Sequence, residues 1–158
     1  MRSKENRANL RIILAFSPGG HYVESMQILD ALLGNEVFFV SPYAPTTEDL
    51  ENVFYITDTA EIGLIRSMIM NTLLSLKILL KTRPDVIVTT GAEIVVPLCY
   101  LAKFLFGSRI VFIETFARIV TPSWTGRMIY PISDEFLVQW EDIKRCYGAK
   151  AKYVGKVF

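Results

Sequence analysis

The chain has 158 residues, 51% of them hydrophobic, with 17 Lys+Arg against 16 Asp+Glu and a formal net charge of +1. That length supports one domain with a substantial core, the balanced charge argues against a nucleic-acid binder, and the supply of aliphatic and aromatic residues excludes disorder. Two cysteines, Cys99 and Cys146, and a single histidine, His21, leave no material for a disulfide framework, a zinc cluster or a His-rich metal site.

Residues 1–11 are polar and cationic, and residues 1–9 are expected to be flexible. No run of apolar residues there is long enough for a signal peptide. Leu10–Phe16 reads as a buried first strand, followed by the turn Ser17-Pro18-Gly19-Gly20. A helix is expected from about His21 to Leu33, with Val23, Met26, Ile28, Leu29 and Leu32 as its apolar stripe and Gly34 as its stop. Glu36–Val40 and Val53–Ile56 are the next strands. A long helix over Ile62–Thr82 ends before Pro84, and its apolar run is broken by Arg66, Asn71 and Lys77, too many polar groups for a membrane span. Asp85–Thr89 is a fourth strand, followed by an apolar helix from Gly91 to Phe106. Arg109–Ile113 and Glu135–Val138 are the fifth and sixth strands, and a short helix from Glu141 leads to Tyr153–Val154. Strands alternating with helices predict an α/β fold: a Rossmann-like parallel sheet with helices on both faces, in a single domain over 1–158.

Ligands of such sheets bind beyond the carboxyl ends of the strands, which directs attention to Ser17–His21, Thr90–Glu93, Glu114–Gly126 and Gln139–Glu141. Ser17, Gly19 and Gly20 between a strand and a helix suit close approach of a diphosphate to free backbone N–H groups; a tight turn with no ligand is the other reading. The spacing is not that of a dinucleotide fingerprint, and the second strand does not end in an acidic residue. Imidazole titrates near neutral pH, so His21 is a candidate base as well as a candidate structural contact. Glu114 and Arg118, four residues apart, either pair to shape their loop or act separately, Glu114 on sugar hydroxyls and Arg118 on a phosphate. Trp140 offers a flat face for a sugar, or belongs to the core. Gly91 and Glu93 complete the set of candidate binding residues.

On the long helix, Arg66, Lys77 and Lys81 fall within an arc of about 60°, with Met70, Leu73 and Leu74 beside them. Ile65, Met68, Ile69, Leu76 and Leu79 are expected to face the core. The mean hydropathy of +0.33 is high, and the cationic, apolar arc suits a helix lying on an anionic membrane surface. The alternative is a broad core face with scattered exposed leucines.

The motifs SPGGH, TTGAE and ETFARIVTPSWTGRMIYPISDEFLVQW, with the terminal YVGKVF, resemble the asparagine-linked-glycosylation fourteen family and its bacterial PssD-type relatives along nearly the whole chain. The glycine turn is shared more loosely with MurG-type transferases. The resemblance implies the N-terminal half of a split inverting GT-B glycosyltransferase, peripheral on the cytoplasmic face of a membrane. That half binds a polyprenyl-diphosphate-linked sugar, while a PssE-like catalytic subunit supplies the UDP-sugar. It implies polysaccharide or lipid-linked oligosaccharide biosynthesis, a β-1,4 linkage, no cofactor or metal, and no activity without the partner. It further implies that His21 and Glu114 are catalytic, that Arg118 positions the acceptor, and that Tyr153, Val157 and Phe158 contact the partner. A non-catalytic scaffold that recruits the partner to the membrane is the alternative function. Pro18 stands where relatives often carry a small residue.

Overall fold

The computed structural model describes residues 9–157. The expected flexible start falls on residues 1–8 and one expected partner contact on Phe158, and both lie outside the described residues. Seven strands, β1 (Arg11–Ala15), β2 (Glu36–Pro42), β3 (Val53–Ile56), β4 (Val86–Thr89), β5 (Arg109–Ile113), β6 (Glu135–Val138) and β7 (Ala151–Tyr153), form one sheet in the order β3-β2-β1-β4-β5-β6-β7. Every neighbouring pair is parallel. This is the expected Rossmann-like arrangement, and the order reverses between β1 and β4, where such sheets open a crevice.

Alternate residues of the strands feed two cores, as the period of two requires. Ile13, Ala15, Phe38, Val40, Ile87, Ile110 and Phe112 pack on one face. Ile12, Leu14, Phe16, Phe39, Val88 and Ile113 pack on the other. Cys99 is fully buried in the first core, and that burial pushes its thiol up to about 12, whereas Cys146 is exposed.

The helices are α1 (Gly20–Gln27), α2 (Thr59–Ile62), α3 (Leu64–Thr82), α4 (Val96–Phe106), α5 (Trp124–Ile129) and α6 (Glu141–Tyr147). Several depart from the sequence reading. The first helix stops at Gln27 and continues only as a 3-10 turn over Leu29–Leu32, and Val23 faces solvent instead of the core. The long helix is divided at Gly63, whose φ of 81° is left-handed and open to glycine at little cost. Asp58 caps the short segment before it by accepting from the Ala60 amide at 2.9 Å. Ala151–Tyr153, read only as a terminal segment, adds a seventh strand to the sheet edge.

The largest departure is the orientation of α3. Ile65 and Ile69, expected in the core, are 77% and 60% exposed, while Ser67, Asn71, Ser75 and Thr82 are buried. The reason lies in the backbone beyond β3. Asn71 accepts from the Thr57 amide at 2.8 Å and donates to the Thr57 carbonyl at 2.9 Å, satisfying a segment that no strand pairs. Ser67 donates to the Leu64 carbonyl at 2.9 Å. Ile78 and Leu79 supply the apolar part of the inward face. Leu74, expected on the membrane side, packs partly against the core. The outward face therefore carries Ile65, Ile69, Met70, Leu73 and Leu80, with Arg66, Lys77 and Lys81 along one margin. Among the described residues no helix is long and apolar enough to cross a membrane.

This inversion has a measurable consequence. Asn71→Ala orphans the Thr57 amide and carbonyl and is expected to cost about 2–4 kcal/mol, whereas Ile69→Ala is expected to change stability by less than about 0.5 kcal/mol. Urea unfolding of the two variants checks the difference, and the reverse ranking would place Ile69 in the core.

Candidate functional site

Three loops leaving the carboxyl ends of β1, β4 and β5 enclose a cavity of about 610 Å³. Gly20 and His21 come from the first, Gly91, Ala92 and Glu93 from the second, and Thr115, Ala117, Arg118, Ser123, Trp124 and Thr125 from the third and the start of α5. Thr59 and Leu64, at the α2–α3 junction, close the remaining side. Leu64 and Trp124 are both strongly exposed, which gives the cavity an apolar rim on that side.

His21 enters the cavity from the first turn of α1. Its Nδ1 is buried and has no hydrogen-bond partner among the described residues. The ring lies against Gly91, where an added Cβ would stand 3.1 Å from His21 Cε1, and Gly91 has a φ of 114°. Glycine at this position thus serves both the backbone turn and the room for the imidazole. The Thr90 hydroxyl donates to the His21 carbonyl at 3.1 Å and lies 3.1 Å from the Ser25 hydroxyl, tying α1 to the loop after β4.

The loop after β5 is closed by a buried carboxylate. Glu114 is 1% exposed. One of its oxygens accepts from the Thr115 amide at 3.1 Å. The other accepts from the Ser123 amide at 3.1 Å, the Ser123 hydroxyl at 3.0 Å and the Tyr147 hydroxyl. Burial, reinforced by the neighbouring Glu114 carboxylate, raises the Tyr147 phenol well above its ordinary value and keeps it a donor. Ser123 in turn caps α5 by accepting from the Gly126 amide at 2.8 Å. A Cβ at Gly126 would stand 2.6 Å from the Glu114 carboxylate, so only glycine fits beneath this clamp.

The sequence-predicted residues are therefore divided. His21, Gly20, Gly91, Glu93 and Arg118 line the cavity; Glu114, Trp140, Ser17 and Gly19 do not. Glu114 and Arg118 form no ion pair, because the carboxylate is already committed to Ser123, Thr115 and Tyr147. Trp140 donates its indole N–H to the Phe116 carbonyl at 2.8 Å, and Lys156 Nζ lies 4.0 Å from its ring centroid. It braces the loop from outside the cavity, and the Gln139–Glu141 loop contributes no wall.

Gln139, wholly buried, donates to the Glu114 carbonyl at 3.1 Å and accepts from the Val157 amide at 2.9 Å. Tyr153 is exposed and Val157 half-buried against the second core. Thr115, Trp124 and Thr125 fall within the Glu114–Gly126 loop that the sequence points to without being singled out in it, whereas Thr59 and Leu64 lie outside every loop it points to. The apolar Leu64 and Trp124 beside strand-end loops were the available signal. Among the described residues no three His, Cys, Asp or Glu side chains gather into a metal-binding group.

Comparison with known proteins adds the ancestry. Residues 55–157 match the family described as oligosaccharide biosynthesis protein Alg14 like. Among curated relatives, the UDP-N-acetylglucosamine transferase subunit alg14 of Schizosaccharomyces pombe is 44% identical over 78 residues, covering 47% of this chain and 37% of its own length. The ALG14 subunit of Yarrowia lipolytica is 25% identical over 183 residues, covering 96% and 83%. The chain spans less than half the length of most of the curated relatives it matches, 45% in Candida albicans and 41% in Homo sapiens. Among solved structures, MurG of Acinetobacter baumannii superimposes with a TM-score of 0.75 at 11% identity over 92% of this chain and 45% of MurG. A UDP-N-acetylglucosamine 2-epimerase from Rickettsia bellii does so with a TM-score of 0.75 at 12% identity, over 95% and 46%. The fold is thus that of one Rossmann-like half of such larger proteins, and over residues 55–157 the sequence places this chain in the Alg14 family.

Proposed function

We propose that the chain is the acceptor-binding, membrane-associating half of a two-protein inverting glycosyltransferase that extends a polyprenyl-diphosphate-linked sugar. The observation that carries this reading is the pairing of a cavity lined by His21, Glu93 and Arg118 with an exposed apolar rim at Leu64 and Trp124. A lipid-linked diphosphate needs both: cations and backbone N–H groups for its phosphates, and an apolar surface where its chain leaves the site. The names of the relatives support a subunit role with UDP-N-acetylglucosamine as donor, and the same names, as subunits, support a donor half carried by a separate, PssE-like protein. We assign the membrane contact to Ile65, Ile69, Met70 and Leu73 with Arg66, Lys77 and Lys81, on a cytoplasmic membrane face. Tyr153 and Val157 are assigned to the partner contact.

In this reading Arg118 meets the acceptor diphosphate and the Gly19-Gly20 turn offers N–H groups beside it. His21 removes the proton of the attacking acceptor hydroxyl. That oxygen forms the new bond to the donor's anomeric carbon from the face opposite UDP, and the carbon–oxygen bond to UDP breaks, which inverts the centre and gives a β-1,4 linkage. The imidazole lines the cavity beside Gly91, where a ring nitrogen can meet the acceptor hydroxyl. Glu114 holds the loop and does not touch the substrate.

Two experiments test the reading. With the co-purified partner, UDP-N-acetylglucosamine and a phytanyl-diphosphate-linked N-acetylglucosamine, His21→Ala is expected to lower kcat about 10²–10⁴-fold. Arg118→Ala is expected to raise the acceptor KM about 10–100-fold, and Arg118→Lys not to restore it. Unchanged transfer in both would leave the chain a recruiting scaffold. Separately, changing Arg66, Lys77 and Lys81 together to Glu is expected to weaken binding to anionic liposomes at least about 100-fold; undiminished binding would remove α3 from the membrane contact.

A further inference from the structure

On the reading above, the loop after β5 carries Arg118 into the cavity at a fixed distance from His21. We infer that Glu24 is the positioning residue that sets this distance. It lies on α1 three residues after His21, so the two share a helix face. Unlike His21, it does not reach the cavity. Glu24 is 4% exposed, and its Oε1 accepts both the Thr115 hydroxyl at 2.8 Å and the Phe116 amide at 2.9 Å. Its Oε2 has no partner among the described residues, so the hydrogen bonding of this carboxylate goes into residues 115 and 116. Burying a carboxylate for two donors is expensive, and the junction it makes accounts for its presence. Ala117 and Arg118, the next two residues, are cavity wall, and the Arg118 amide donates back to the Thr115 carbonyl at 3.0 Å.

Other restraints on this loop do not supply the same information. The Glu114 clamp joins the loop to α5 and α6 through Ser123 and Tyr147, which fixes its closure but not its separation from α1. Ser25 and Thr90 register α1 against the loop after β4. Glu24 alone of these residues joins the helix bearing His21 to the loop bearing Arg118.

The role rests on the proposed transfer function, and the test separates the two. Glu24→Gln keeps an acceptor oxygen for both donors and discards the charge; Glu24→Ala discards both. In the isolated chain, amide hydrogen exchange at residues 115–118 is expected to be about 10-fold faster in the Ala variant and unchanged in the Gln variant. In the complex with its co-purified partner, with UDP-N-acetylglucosamine and the phytanyl-diphosphate acceptor, Glu24→Ala is expected to lower kcat/KM about 100-fold, mainly through acceptor KM. Glu24→Gln is expected to recover it to within about threefold of the native value. Should the Ala variant not fold, Glu24→Asp keeps the charge one methylene short of the loop and is expected to show the same faster exchange and raised KM. Unaltered exchange in the Ala or Asp variant overturns the role, as does a Gln variant as impaired as Ala, which would make the charge the working element. If the native complex transfers no sugar, the proposed function falls, and the exchange data alone decide whether Glu24 holds the loop.

Discussion

The site depends on one buried carboxylate. Glu114 stands at the end of β5, and its two oxygens draw in the amides of Thr115 and Ser123 together with two hydroxyls. The chain between those amides must therefore leave the sheet and return within nine residues. That return starts α5 at Ser123 and directs Ala117 and Arg118 over the carboxyl ends of β1 and β4. A carboxylate free of these donors would carry a large desolvation cost, so the fold can keep Glu114 buried only by keeping the loop closed. The absence of a side chain at Gly126 is part of the same constraint.

Around this clamp, the site is assembled from elements with different jobs. The β1 turn supplies His21, the β4 loop supplies Gly91 and Glu93, and the β5 loop supplies Arg118. The remaining side is closed by Thr59 and Leu64 at the α2–α3 junction, and α3 turns Ser67, Asn71 and Ser75 inward, where Asn71 satisfies Thr57. Once the polar residues are turned inward, the isoleucines and leucines of that helix have only solvent or a partner surface to face. An apolar strip of Ile65, Ile69, Met70, Leu73 and Leu80 with a cationic margin follows directly from that internal pairing.

Much of the fold was legible in the sequence. The runs RIILA, VIVT and RIVFI are β-branched and lie between turn residues, and they form the buried centre of the sheet as β1, β4 and β5. The convergence of the loops after β1, β4 and β5 follows from parallel topology and strand order. The helix orientation was not legible, because apolar periodicity finds a stripe but not the direction it faces; the partner that turns α3 is a backbone segment 14 residues away. The loop after β5 misled for a similar reason. Glu114 and Arg118 look paired at a spacing of four, yet the donors that claim the carboxylate include Tyr147, 33 residues further on. Trp140 looked like a sugar platform, but its ring faces Phe116 and Lys156.

The central claim is that this chain holds the lipid-linked acceptor and not the nucleotide donor. His21 is the only histidine in the sequence, so its imidazole resonances report on the cavity without ambiguity. Titrating the isolated chain with phytanyl-diphosphate-linked N-acetylglucosamine, and separately with UDP-N-acetylglucosamine, while following those resonances by NMR is the most direct measurement. The account predicts saturable shifts with the lipid-linked sugar and none with the nucleotide sugar. Shifts with UDP-N-acetylglucosamine alone would contradict it.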